Sequence, residues 1–233
     1  MNTLFMTGRI DVRHGLFHDY LNEDISMMNR IVAGGAVALM FGFSTAVLAQ
    51  GPTWNYMSAS WVVSGELEAG STSEDLEGFQ LTATKSLGDM FFVRVAANNL
   101  GADIGFAVVD FSNQQLGGGA RFGVASGVDL WAAVNYDRFA LDGLVGRGFG
   151  LEAGVRWQVM KELELGLTYR NSPNVDFDLG DGKFSGYELS AVYNVTPMIG
   201  ALLTISSNTF EIDGSSSSID TKNVVGLGVR LAY

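Results

Sequence analysis

The sequence predicts an all-β fold, an antiparallel up-and-down transmembrane β-barrel. Three observations carry the prediction: about ten runs of alternating side-chain polarity, an export signal ahead of them, and connections of two sizes between them.

The chain has 233 residues, of which 47% are apolar and 17% charged, with 30 glycines, 3 prolines and no cysteine. That balance suits one folded domain and opposes a disordered or collagen-like chain. Without cysteine there is neither a disulfide framework nor a thiolate metal site. A net charge of −11 leaves no broad basic surface, so nucleic acid is excluded as a partner.

Residues 31–48, IVAGGAVALMFGFSTAVL, form the one long apolar run. Arg30 precedes it, and Val47 and Ala49 supply small residues three and one positions before a cleavage point at Gln50. Those are the parts of a secretory signal peptide. A transmembrane helix is the competing reading, but the run is barely long enough and passes straight into Gln50-Gly51-Pro52 without a charged anchor. The expected organisation is a non-native or unstructured extension over 1–27, a signal peptide over 28–49 starting from Met28 or Met27, and a barrel over 50–233. His14 and His18 both lie in the extension, so the expected mature chain has no histidine.

Strands are expected at 54–64, 77–87, 90–99, 114–125, 129–139, 148–159, 162–171, 184–194, 198–207 and 221–233. An even count returns both ends to one side of the membrane; ten strands is the expectation and eight the alternative. Tight turns at 87–89, 125–128, 160–161 and 195–197 alternate with longer links at 65–76, 100–113, 140–147, 172–183 and 208–220. The tight set is expected in the periplasm and the long set outside. A soluble sandwich would alternate in polarity too, but its long crossovers are not evenly spaced.

Side chains in a strand change face at every residue, so the pattern assigns an inside and an outside. In 162–171, Leu163, Leu165, Leu167 and Tyr169 oppose Glu164, Gly166, Thr168 and Arg170; segments 148–159 and 184–194 repeat this with Glu152, Arg156 and Glu188 on the polar face. Placing the polar face inward gives a lumen charge network of Arg94, Arg121, Glu152, Arg156, Glu164, Arg170, Glu188 and Arg230. Inward glycines at 117, 119, 123, 154, 166, 226 and 228 are expected to leave room for a polar channel. Trp54, Tyr56, Trp157, Tyr169, Tyr193 and Tyr233 fit interfacial aromatic girdles.

The longer links are acidic, with thirteen carboxylates from Glu66 to Asp220 against Arg147, Lys183 and Lys222. Facing an anionic lipopolysaccharide leaflet, that charge repels unless divalent cations bridge it or it stands clear of the headgroups. The stretch Asp176-Phe177-Asp178-Leu179-Gly180-Asp181-Gly182 has the density of a calcium loop, but Gly180 holds a ligand position and Tyr187 the twelfth. It reads as a hairpin loop.

The final residues VVGLGVRLAY place Val225, Leu227, Val229, Leu231 and Tyr233 on one face, and resemble the C-terminal assembly signal of outer-membrane barrels. The phrases FFVRVAAN, GLEAGVRWQVMKELELGLTYR and SGYELSAVYNVTP resemble a proteobacterial family of small outer-membrane β-barrel-domain proteins, in the style of the OmpA and OmpX types. The resemblance covers essentially all of 50–233. It implies a multi-pass outer-membrane location, outer-membrane lipid and lipopolysaccharide as surroundings, and periplasmic chaperones and the barrel assembly machinery as partners. It implies no cofactor and no catalytic residue. The expected role is structural or surface interaction through acidic loops without catalysis, since small barrel enzymes rely on a histidine base. A narrow channel for ions or small polar solutes is the alternative.

Overall fold

The computed structural model describes residues 51–69, 72–104, 107–141, 144–177, 180–213 and 218–233. The expected extension and signal peptide lie outside the described residues. Ten strands follow in order: β1 (Tyr56–Ala69), β2 (Thr72–Leu87), β3 (Phe91–Ile104), β4 (Ala107–Ala125), β5 (Val128–Leu141), β6 (Leu144–Met160), β7 (Leu163–Phe177), β8 (Gly180–Asn194), β9 (Ile199–Ile212) and β10 (Ile219–Ala232). Each pairs antiparallel with its sequence neighbours, and β1 pairs with β10, as in Met57 opposite Leu231 and Trp61 opposite Leu227. The barrel is therefore closed at ten strands and has no free edge, which hydrocarbon requires because no water there can satisfy an open row of amides.

At the periplasmic end the turns are tight because glycine lets the backbone reverse. Gly88 (φ 72°) closes β2 to β3 and Gly127 (φ 75°) closes β4 to β5, both left-handed conformations that strain a side chain bearing Cβ. The start of β1 and the end of β10 meet there. The backbone amide of Tyr233 donates to the carbonyl of Asn55, and the Asn55 side-chain oxygen accepts from the amide of Ser86.

The outer end corrects the expected loops. Most of 65–76, 100–113, 140–147 and 172–183, and both ends of 208–220, are strand, so the ladders run two to seven residues further than their alternation suggested. Strands of 14 to 19 residues exceed the 9–11 that cross a bilayer at a tilt, so their outer ends stand in water as β-hairpins.

On the outside, Trp61, Leu116, Phe122, Val134, Phe149, Leu151, Leu167, Leu189 and Leu227 are exposed, which in water would be an untenable apolar surface. Facing acyl tails it is the required one. A closed barrel with this belt and ion pairs within it is a multi-pass outer-membrane protein.

Candidate functional site

The lumen is filled in layers. At the periplasmic mouth Trp54, 3% exposed, lies inside the barrel with its ring 4.6 Å from Phe92 and 6.0 Å from Trp131. Its indole N–H donates to Asp129 Oδ2 at 2.7 Å, and the Arg156 guanidinium lies 4.6 Å from its ring centroid. Burial of an indole needs a partner for that N–H, and Asp129 supplies it. The girdle expectation is thus corrected for Trp54 and for Tyr56, which also turns inward and lies between Arg156 and Arg230 at 4.9 and 5.4 Å. Trp157, Tyr169 and Tyr193 do face outward. Tyr233 sits at the rim, its hydroxyl donating to the Thr84 carbonyl and Lys85 Nζ 5.2 Å from its ring.

Above the mouth the charged groups pair across the lumen. Glu164 accepts from Arg156 at 2.6 Å and from Arg230 at 2.7 Å, so one carboxylate serves two guanidiniums from strands far apart in sequence. Arg94 meets Glu152 at 2.7 Å, and Asn135 Nδ2 donates to the same Glu152 oxygen at 3.0 Å. Higher still, Asp137, 0% exposed, accepts from Arg170 at 2.9 Å, Ser172 at 2.7 Å and Gln115 at 3.1 Å. Arg121 stays near the mouth, 3.6 Å from Asp129. Glu188 faces a cavity of about 80 Å³ that Tyr56, Thr84, Arg94 and Arg230 also line. Five arginines thus pair with four carboxylates, counting Asp129 and Asp137, which sequence reasoning did not place in the network although both alternate with outward Leu130 and Tyr136. Buried charges need such pairing to offset desolvation.

The glycines do not open a channel. A side chain at Gly119 would collide with Phe92, at Gly154 with Trp131, at Gly117 with Asn135, and at Gly226 with Thr204. Each of these four glycines makes room for a large or polar neighbour on the adjacent strand, so the space beside it is occupied.

The outermost layer is apolar. Phe111, Phe139, Phe177, Phe184 and Phe210 pack with Val62, Leu67, Leu76, Leu100, Val175 and Val224 across the lumen. The Phe139 ring lies 5.1 Å from Phe184 and 5.9 Å from Phe210, and Phe177 meets Phe210 edge to face at 5.2 Å. Arg170 joins this layer to the ionic one, its guanidinium 4.5 Å from the Phe184 ring. The signal for this core was present in Val175-Asp176-Phe177 and in Lys183-Phe184, where an apolar residue alternates with a charged one.

Outside this layer the hairpin surfaces are acidic. Asp176 stands opposite Asp181, and Glu66 opposite Asp75. Lys222 donates to Glu68, and that hydrogen bond holds its ammonium above the usual lysine range. Among the described residues no group of three acidic or histidine side chains is arranged to hold a metal ion, and Asp178 lies outside them.

No protein-family model matches the sequence, and no curated protein sequence matches it. Solved structures similar in shape include the outer membrane protease OmpT of Escherichia coli, at 10% identity over 78% of this chain and 98% of that one with a TM-score of 0.49. Neisserial surface protein A aligns at 14% identity over 76% and 96% with a TM-score of 0.40. Ail, the attachment invasion locus protein of Yersinia pestis, aligns at 12% identity over 76% and 97% with a TM-score of 0.38. At these scores none carries a function to this chain.

Proposed function

We propose that this protein is a shut, non-catalytic outer-membrane barrel of the small OmpA and OmpX style, whose role is structural or surface interaction through its projecting acidic hairpins. The observation that supports this most is the filling of the lumen at both ends: the phenylalanine cluster outside, with Phe139 fully buried, and the Trp54 cluster at the periplasmic mouth. A solute path would have to displace both. Between them the cavity of about 80 Å³ holds a few waters, at roughly 10–15 Å³ of such volume each. Absence of catalysis is part of the same proposal: the chain from Gln50 onward has no histidine, and Asp137, Glu152 and Glu164 are each held by an arginine.

The test is conductance across planar bilayers containing the full folded barrel. The expected result is a silent bilayer for the wild type, with discrete steps appearing when Trp54→Ala is combined with Phe139→Ala and Phe184→Ala. Regular steps from the wild type would instead establish the channel reading. The surface role is tested by shortening the 172–183 and 208–220 hairpins, which should abolish adhesion of cells carrying the protein while heat-modifiable gel mobility persists.

A further inference from the structure

Most of the lumen charges hang on β3 to β7, and the wall facing them is built of short hydroxyl side chains: Ser58 and Ser60 on β1, Thr82 and Thr84 on β2, Ser190 on β8 and Thr204 on β9. Because one wall is short, a cavity of about 80 Å³ is left between the two. At roughly 10–15 Å³ for each water-sized group, it accommodates about six waters, or one solute of about six non-hydrogen atoms.

Excess charges of opposite sign line this cavity. Arg156 and Arg230 share the single carboxylate of Glu164, so that group of three has one positive charge to spare. Glu188 is the converse. Asp129, Asp137, Glu152 and Glu164 each meet an arginine, whereas Glu188 has none within ion-pair distance and accepts no hydrogen bond among the described residues. Arg94 attracts it from further away but is already bound to Glu152. The hydrogen-bonding groups show the same imbalance: Arg156 Nη1, Arg94 Nε and Trp131 Nε1, all donors, have no partner, and neither has the hydroxyl of the fully buried Thr84. All four residues line the cavity. Donors without acceptors and a carboxylate without a cation are each costly inside a barrel. The complement to both is a molecule with an anionic end and a cationic end.

We propose that this cavity binds a small zwitterion, a carboxylate and an ammonium carried on one molecule of about six non-hydrogen atoms, with the carboxylate toward Arg156 and Trp131 and the ammonium toward Glu188. Either half alone is a poorer fit, since a lone anion meets Glu188 and a lone cation meets the spare positive charge of the arginine pair. Entry is from the periplasm. In the inner plug Phe92 and Trp131 are fixed in β3 and β5, whereas Trp54 precedes β1 and its indole is held by a hydrogen bond to Asp129, so Trp54 is the member that swings aside. The phenylalanine layer stays closed, so the site goes beyond the shut-barrel reading without opening a path through the barrel.

The experiment is equilibrium dialysis of the full chain, folded in detergent micelles, against radiolabelled glycine, acetate or methylammonium. The wild type should retain glycine at least about tenfold more tightly than either half-molecule, the worth of one charge-assisted hydrogen bond. Glu188→Gln removes a charge that no arginine pairs with, so the barrel should keep its heat-modifiable mobility while its affinity for glycine falls to that for acetate. Thr82→Leu with Thr204→Leu, which fills the cavity from the hydroxyl wall, should abolish retention of all three probes. Trp54→Ala should speed the release of glycine and leave the order of preference unchanged. Equal retention of the three probes by the wild type, or undiminished glycine binding in Glu188→Gln, would overturn the site. Neither result bears on conductance, which tests the shut barrel separately.

Discussion

The same strands obey opposite rules below and above the level of Tyr136 and Phe149. Below it, on β5, outward Leu130, Val134 and Tyr136 alternate with inward Asp129, Asn135 and Asp137; above it the inward residues are Phe139 and Leu141. β7 repeats the change, from outward Leu167 with inward Arg170 to outward Asp176 with inward Val175 and Phe177. The backbone ladder is continuous through the change, so the solvent outside the barrel dictates the polarity of both faces. In hydrocarbon the apolar side chains must face out and the interior is left with ions, whereas in water the interior becomes an ordinary hydrophobic core.

The two halves should therefore fail differently. The largest expected effect is from Asp137→Ala, which strands Arg170 in a buried site; a loss of about 3–5 kcal/mol is expected, read as a lower urea midpoint for unfolding in lipid vesicles. Phe139→Ala should cost about 3–4 kcal/mol by leaving a cavity among four phenylalanines, with a loss insensitive to salt. The coupling of Glu164 to Arg230, measured in a cycle of Glu164→Gln and Arg230→Gln, should be about 1–3 kcal/mol, since Arg156 still holds the carboxylate after Arg230 is removed. Lys222→Ala on the exposed hairpin surface should have the smallest effect, leaving the urea midpoint essentially where it is. If Phe139→Ala proves as harmless as Lys222→Ala, the upper half is not a core.

The periplasmic ends of the strands were legible to within two residues, because Leu87-Gly88-Asp89 and Ala125-Ser126-Gly127 interrupt an apolar-outside pattern sharply. The outer ends were not, because Asp, Glu, Ser and Gly there resemble loop composition while serving as the wetted face of a strand. Reading Val175, Phe177, Phe184 and Phe210 as an inward row would have required allowing the pattern to invert partway along. The inward face of each strand was readable from parity, but which charges pair was not: Glu164 and Arg230 are 66 positions apart and meet across the closed barrel. Trp54 was hidden for a local reason, since it precedes β1 and β1 carries large apolar residues on both faces.

The inversion of polarity is tested most directly by cysteine labelling, for which the chain offers a clean background because it has no cysteine of its own. In intact outer membranes, a charged aqueous maleimide should modify Asp176→Cys rapidly and leave Phe177→Cys and Leu167→Cys untouched, with Leu167→Cys alone reacting with a lipid-phase reagent. Modification of Phe177→Cys as fast as Asp176→Cys would mean that the outer half of the barrel is open to water.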